Sequence, residues 1–397
     1  MESVDKNVLR RDDVPLSEEK SLSYTIDVLR FPLALMVIFI HMNPAIVSLH
    51  EAEFPILSGQ GIFNIVCMAL SRVVPYIAVP TFFLISGFLF FVNFREWSWD
   101  GYKKKMKSRL RSLVIPYFLW NTVAFIFLFL GKLVMKSLPE GGLFAFLVEK
   151  GSWHIYYDSH TWGEDLVDWL GRSLYYAGPI DIPLWFLRDL IFVSLCTPII
   201  YWMVKRLKIF VVGILFLAYV SKIWISIPGF SIEAVFFFTT GAYLALNGFN
   251  IVTIVKKSKY VHLPLMVILL CAIVWFRGDG SAIGNNLFPF FVCAGVLSAF
   301  YIASVFVEKY NVRSKKLLVS SCFFIYAFHS LPIFPYYGHT MGVSKWLIHT
   351  IIPGQSLAEE WIVYLASPFL AAAICILVLM ILRKISPKLA LLFSGNK

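Results

Sequence analysis

Residues Leu29–His41 read LRFPLALMVIFIH, and the ten residues between Arg30 and His41 are all apolar. Such a run predicts a membrane-spanning helix, where each ionisable side chain costs roughly a few kcal/mol. Arg30 and His41 are eleven residues apart. At 100° per residue this is about 20° past three full turns, so both leave the helix on one face, about 16 Å apart along its axis. Asp27, three residues before Arg30, lies on the same face, where it can pair with the guanidinium and lower its burial cost. Pro32 fits the first turn of a membrane helix or a small kink. Taken singly, Arg30 reads as a snorkelling interfacial residue and His41 as a helix-packing histidine. Taken together, the stripe offers a phosphate-binding cation and a titratable base along one pore.

The rest of the chain agrees with a membrane setting. It has 397 residues, 59% hydrophobic and 15% charged, with mean hydropathy +0.74. A soluble domain averages about 45–50% apolar and about 25% charged. Runs of about 20 apolar residues mark ten expected spans, at 26–48, 75–94, 112–135, 183–204, 209–226, 230–246, 261–277, 287–307, 317–336 and 361–382. The expected fold class is therefore all-α and polytopic.

Basic residues concentrate in alternate connections: Lys103, Lys104, Lys105, Lys107, Arg109 and Arg111, then Lys205, Arg206 and Lys208, then Lys256, Lys257 and Lys259, then Arg313, Lys315 and Lys316. By the positive-inside rule both termini are cytoplasmic. The net charge of +11 is then a topology signal rather than a nucleic-acid footprint. The polar first 25 residues lack an apolar core followed by a small-residue cleavage site, so the first apolar helix reads as an uncleaved anchor. The expected organisation is a cytoplasmic tail over 1–25, a transmembrane domain over 26–385 and a cytoplasmic tail over 386–397. The long outer connection 136–182 is rich in Trp and Tyr. It reads either as an interfacial aromatic belt or as a cover over an acceptor site. Five of the six cysteines fall within apolar runs, which argues against disulfides or a zinc site. No internal repeat is evident, which counts against an inverted-repeat transporter.

Further polar residues punctuate the apolar runs. Ser86 and Gly87 in VPTFFLISGFLFF (79–91) allow close helix approach; without a G-x-S-x-G context Ser86 reads as packing before nucleophile. Arg109 and Arg111 in KSRLRSLVIPY (107–117) are either a topology signal or a polyphosphate clamp, for which arginine is geometrically suited. DIPLWFLRDLIF (181–192) sets Trp185, Arg188 and Asp189 at a span entrance, the charged pair reading as structural. Glu233 is an isolated intramembrane acid. Tyr326 and His329 are three apart on one face of CFFIYAFHSLPIF (322–334). His154, Asp158 and His160 match no recognised zinc spacing, so no metal is expected.

These segments together resemble the acyltransferase-3 family of integral-membrane acyltransferases: D-x-x-R and R-x10-H in the first span, VPTFFLISGFLF in the second, RLRSLVIPY opening the third, PLWFLRDLIF in the fourth and IYAFHSLPI near the end. The resemblance covers about 26–385. It implies an acyl-CoA donor supplied from the cytoplasm, acetyl most commonly and succinyl in some members. It implies a glycan or lipid-linked sugar hydroxyl as acceptor, and residence in the cell membrane. It further implies that His41 activates the acceptor hydroxyl or handles the acyl group, that Arg30 supports that site or the donor, and that Arg109 and Arg111 lie near the donor's phosphates. Asp27, Ser86, Trp185, Glu233, Tyr326 and His329 are supporting candidates. Direct transfer and an acyl-histidine both remain open. A transporter of a glycan precursor or of a proton-coupled solute, with Arg30, His41, Glu233 and His329 as a relay, is the competing reading.

Overall fold

The computed structural model describes residues 17–42, 55–94, 96–150, 154–157, 160–162, 176–225, 227–277, 282–331, 340–352 and 356–395. Among the described residues the chain is helical apart from a short antiparallel ladder in the long connection 136–182, where His160–Trp162 pairs with Tyr176–Gly178. Helices follow from the solvent: in lipid each backbone N–H and C=O must be satisfied within its own segment. Buried hydroxyls are satisfied in the same local way. Thr25 donates to the Ser21 carbonyl, Thr81 to Ile77 and Ser367 to Val363.

Among the described residues, six helices are long and apolar enough to cross a membrane, or up to eight when each of two bent pairs counts as one span. The bent pairs are Ile182–Leu195 with Thr197–Leu207, at 64°, and Ile232–Leu246 with Ile251–Lys257, at 101°. The other two expected spans, 209–226 and 317–336, hold the 13-residue helices Ile209–Ser221 and Lys316–Phe328. Thirteen residues reach about 20 Å, short of the about 30 Å hydrocarbon core. By length alone, then, six to eight of the ten expected spans are met among the described residues, and the other two places hold shorter apolar helices.

The first helix starts earlier than its apolar run, which leaves the kink as the reading for Pro32. It runs Glu18–Ile40, beginning in the polar segment before the apolar run, with Glu18 and Glu19 in its first turn. Pro32 consequently lies inside the helix rather than in its first turn. The helix ends at His41, whose N–H donates to the Ile38 carbonyl at 3.0 Å; residues 43–48 lie outside the described residues. The first helix is tied at its start by Ser21, which donates to Glu308 at 2.6 Å, and by Arg313, stacked 4.4 Å from the Tyr24 ring centre. Glu308 also pairs with Lys256. At its far end the Lys345 ammonium donates to the Met42 carbonyl at 2.5 Å, as suits a cation at a helix C-terminus. Burial lowers the Lys345 pKa from its ordinary value.

Two helices meet backbone to backbone. A Cβ on Gly87 would stand 2.0 Å from the Phe238 carbonyl oxygen, and one on Gly241 would stand 2.1 Å from that of Leu84. Ala78–Phe91 and Ile232–Leu246 are thus pressed together along a small-residue seam.

Candidate functional site

A cavity of about 360 Å³ opens among the helices. The first helix contributes Arg30, and Ala78–Phe91 contributes Ser86 and Phe90. The basic helix Trp99–Arg109 contributes Lys105 and Arg109. Phe186 and Tyr326 line it from two further helices. Three cations and no carboxylate are among its described lining residues. Lys105 and Arg109 are held by backbone carbonyls and only Arg30 has a carboxylate partner, so the lining carries excess positive charge that suits an anion, and the guanidinium fork suits phosphate.

Each cation is held by a local contact. Arg30 donates to Asp27 at 2.8 Å, the pairing its sequence spacing predicts. Arg109 donates to the Ser86 carbonyl at 3.2 Å and lies 5.7 Å from the Phe90 ring centre. Lys105 donates to the Leu89 carbonyl at 3.2 Å. Arg109 and Arg111 part company: Arg109 lines the cavity, while Arg111 is exposed and is not among the lining residues. The π-helical turn Leu110–Val114 begins between them and changes the rotation of the side chains that follow.

Tyr326 joins the cavity to a second cluster. Its hydroxyl donates to the Pro183 carbonyl, and its ring packs edge-on against Phe186 at 5.6 Å. One residue step past that helix's end stands His329, fully buried, with its ring centre 5.1 Å from that of His41. The His329 Nδ1 lies 3.0 Å from the Ile325 carbonyl. A carbonyl only accepts, so Nδ1 carries the proton, and in the neutral ring Nε2 holds the accepting lone pair. The structure thus brings His41 and His329 together from opposite ends of the sequence.

The next residue extends the cluster to an acid that sequence reading passed over as one of several in the outer connection. Ser330 donates to Asp181 Oδ1 at 3.2 Å, and the Asp181 N–H donates to Asn121 Oδ1 at 3.1 Å. Asp181 is 2% exposed, and its Oδ2 has no hydrogen-bond partner among the described residues. Only the packing of three distant segments reveals it; no motif marks Asp181, Ser330 or Asn121.

The remaining candidates lie apart from the cavity. Arg188 and Asp189 form a buried two-point pair, at 3.1 and 3.0 Å, and Arg188 also donates to the Tyr157 carbonyl at 2.7 Å. This pair ties the outer connection to the bundle, in keeping with its structural reading. Glu233 sits in the first turn of Ile232–Leu246, next to Ser231, whose N–H faces Asp189 Oδ2 at 3.4 Å. Trp185 packs against Phe83 at 6.5 Å. Neither Glu233 nor Trp185 is among the described cavity residues. Among the described residues no group of three His, Cys, Asp or Glu could hold a metal ion; Asp158 lies outside them.

Comparison with known proteins bears on this arrangement. The sequence model of the acyltransferase domain of the acyltransferase-3 family matches residues 23–381. The succinoglycan biosynthesis protein ExoH of Rhizobium meliloti (strain 1021) is 22% identical over 391 residues, covering 96% of this chain and 94% of that protein. No solved structure matches the chain. With the family match running through nearly all of its apolar helices, the chain belongs to the acyltransferase-3 family and is a multi-pass membrane acyltransferase.

Proposed function

We propose that the protein moves an acyl group, acetyl or succinyl, from cytoplasmic acyl-CoA to a hydroxyl of a glycan or lipid-linked sugar at the cell membrane. One observation carries this reading. A cavity walled by Arg30, Lys105 and Arg109 reaches Tyr326, on the helix that ends beside His329 and, through it, His41. The cations suit the donor's phosphates. The histidine pair suits the acceptor's proton. The name of the ExoH relative, which refers to biosynthesis of a glycan, supports a glycan acceptor.

The chemistry follows from the partners. A thioester is already activated, whereas a hydroxyl is a poor nucleophile. As the hydroxyl oxygen bonds to the acyl carbon, His41 takes its proton. The carbon–sulfur bond then breaks, and the thiolate of CoA leaves and regains a proton, yielding an ester and free CoA. His329, with its accepting nitrogen fixed by the Ile325 contact, shares the charge that His41 acquires. Arg30 and Arg109 hold the donor.

Membranes carrying the protein should transfer labelled acyl groups from acyl-CoA to surface glycan, and the mass gained by the glycan distinguishes acetyl from succinyl. His41→Ala should lower transfer by about 10²–10⁴-fold, the range of a general base, while the protein still elutes as a single folded species. Undiminished transfer by a folded His41→Ala protein removes His41 as the base. Solute flux into vesicles without acyl-CoA, and no transfer with it, would favour a transporter instead.

A further inference from the structure

The cavity has a wall that the family match does not reach. Ser394 and Gly395 line it alongside Arg109 and Tyr326, yet the matched region ends at residue 381. The long helix Leu357–Ile385 ends at Ser386, and the chain turns into a second, short helix, Pro387–Phe393. This helix folds back against Ile115–Val134. Trp120, 2% exposed, donates from Nε1 to the Phe393 carbonyl at 3.0 Å, and the two rings meet edge-on at 4.9 Å. Gly395 then adopts a left-handed φ of +70°, and a Cβ there would stand 3.0 Å from the Ser112 carbonyl oxygen and 3.6 Å from Phe323. Ser394 is buried, with its hydroxyl donating to the Ala390 carbonyl at 2.7 Å.

The position of this turn is informative. Ser112 lies three residues beyond Arg109, and Phe323 three residues before Tyr326. Ser112 and Phe323 themselves line the cavity, so the turn packs against the segment that carries Arg109 and the segment that carries Tyr326. A tail left over from helix packing has no need of a buried tryptophan anchor or a left-handed glycine pressed against a cavity-lining serine. Both restrict where the final turn can sit.

We infer that the turn at Ser394 and Gly395, anchored through Phe393, is a donor-binding wall, which grips the extended arm of acyl-CoA between its phosphates and its thioester. This rests on the reading of the cavity as the donor site. A wall that brings no titratable side chain to the cavity bears on how tightly the donor is held and not on proton transfer, so its alteration belongs in KM.

The test uses the full chain in detergent or membranes. Ser394→Phe adds bulk to the wall; KM for acetyl-CoA should rise about tenfold, with kcat at saturating donor falling much less. Trp120→Phe keeps the ring packing but removes the hydrogen bond to Phe393, and should raise KM about threefold in the same direction. Titration with CoA alone should show both losses in binding. Arg109→Ala separates the two levels of the argument. If it leaves CoA binding unchanged, the cavity is not the donor site and this inference goes with it. If it weakens CoA binding while folded Ser394→Phe and Trp120→Phe proteins keep the wild-type KM, the donor site stands and the wall is overturned. Should Ser394→Phe not fold, Trp120→Phe decides alone.

Discussion

At the scale of single residues, Arg109 and Arg111 give the sharpest contrast. They are two positions apart, yet one donates to the Ser86 carbonyl inside the cavity and the other faces outward. Arg109→Ala should raise the donor KM at least tenfold, since a charged hydrogen bond contributes about 1.5–3 kcal/mol. Arg111→Ala should change it less than about twofold, as befits an exposed charge; initial rates over a range of acyl-CoA concentrations check both. Asp181 gives a second contrast. A buried polar oxygen without a partner costs about 1–3 kcal/mol, and an amide in its place breaks none of the hydrogen bonds of Asp181 Oδ1. Asp181→Asn should leave the melting temperature unchanged or higher while lowering transfer at least about tenfold. If activity is retained, the acid beside Ser330 serves packing only.

Some of this was legible in the sequence and some was not. The Arg30–Asp27 contact follows from helix geometry alone, and the spacing of three residues sufficed to read it. The meeting of His41 with His329 and of Asp181 with Ser330 depends on how distant segments pack, for which a single sequence carries no signal. The wall at Ser394 and Gly395 escaped because residues 386–397 read as a polar-tipped tail, whereas its short helix folds back onto Trp120.

At the scale of elements, the seam of Gly87 and Gly241 fixes where Ser86 stands in the cavity wall. Glycine within a helix is about 1 kcal/mol less favourable than alanine, so Gly241→Ala would stabilise an isolated helix. Here the methyl group meets the Leu84 carbonyl at 2.1 Å, and overpacking costs about 1–3 kcal/mol. Gly241→Ala should therefore lower the melting temperature in detergent and reduce donor binding by displacing Ser86. An unchanged melting temperature would mean that the seam yields without cost. The expected spans illustrate the same division. Apolar runs located a helix in each of the ten places and ended the sixth at 246, where the helix stops, but the break at Cys196 and the early start at Glu18 come from a local bend and a polar helix end that hydropathy does not register.

At the scale of the whole molecule, two of the cavity's cations share an element with a basic connection. Lys105 and Arg109 lie in the same helix as Lys103, Lys104 and Lys107, so the charge that orients the chain also stands at the cavity. In a cysteine-free background, a cysteine at Lys104 should react with a membrane-impermeant thiol reagent only after the cytoplasmic face is opened. One at Lys136 should react in intact cells. The reverse pattern would invert the proposed orientation and take the cytoplasmic donor with it.

The first helix is moored at both ends, by Glu308 and Arg313 at its start and by Lys345 at its finish. Contacts at both ends resist its sliding like a piston. On the proposed reading, the interval between Arg30 and His41, set by the helix itself, is a gauge against which a donor is measured. An acyl group presented on a truncated carrier, too short to touch cation and imidazole at once, would be rejected on length even though its reactive thioester is the same.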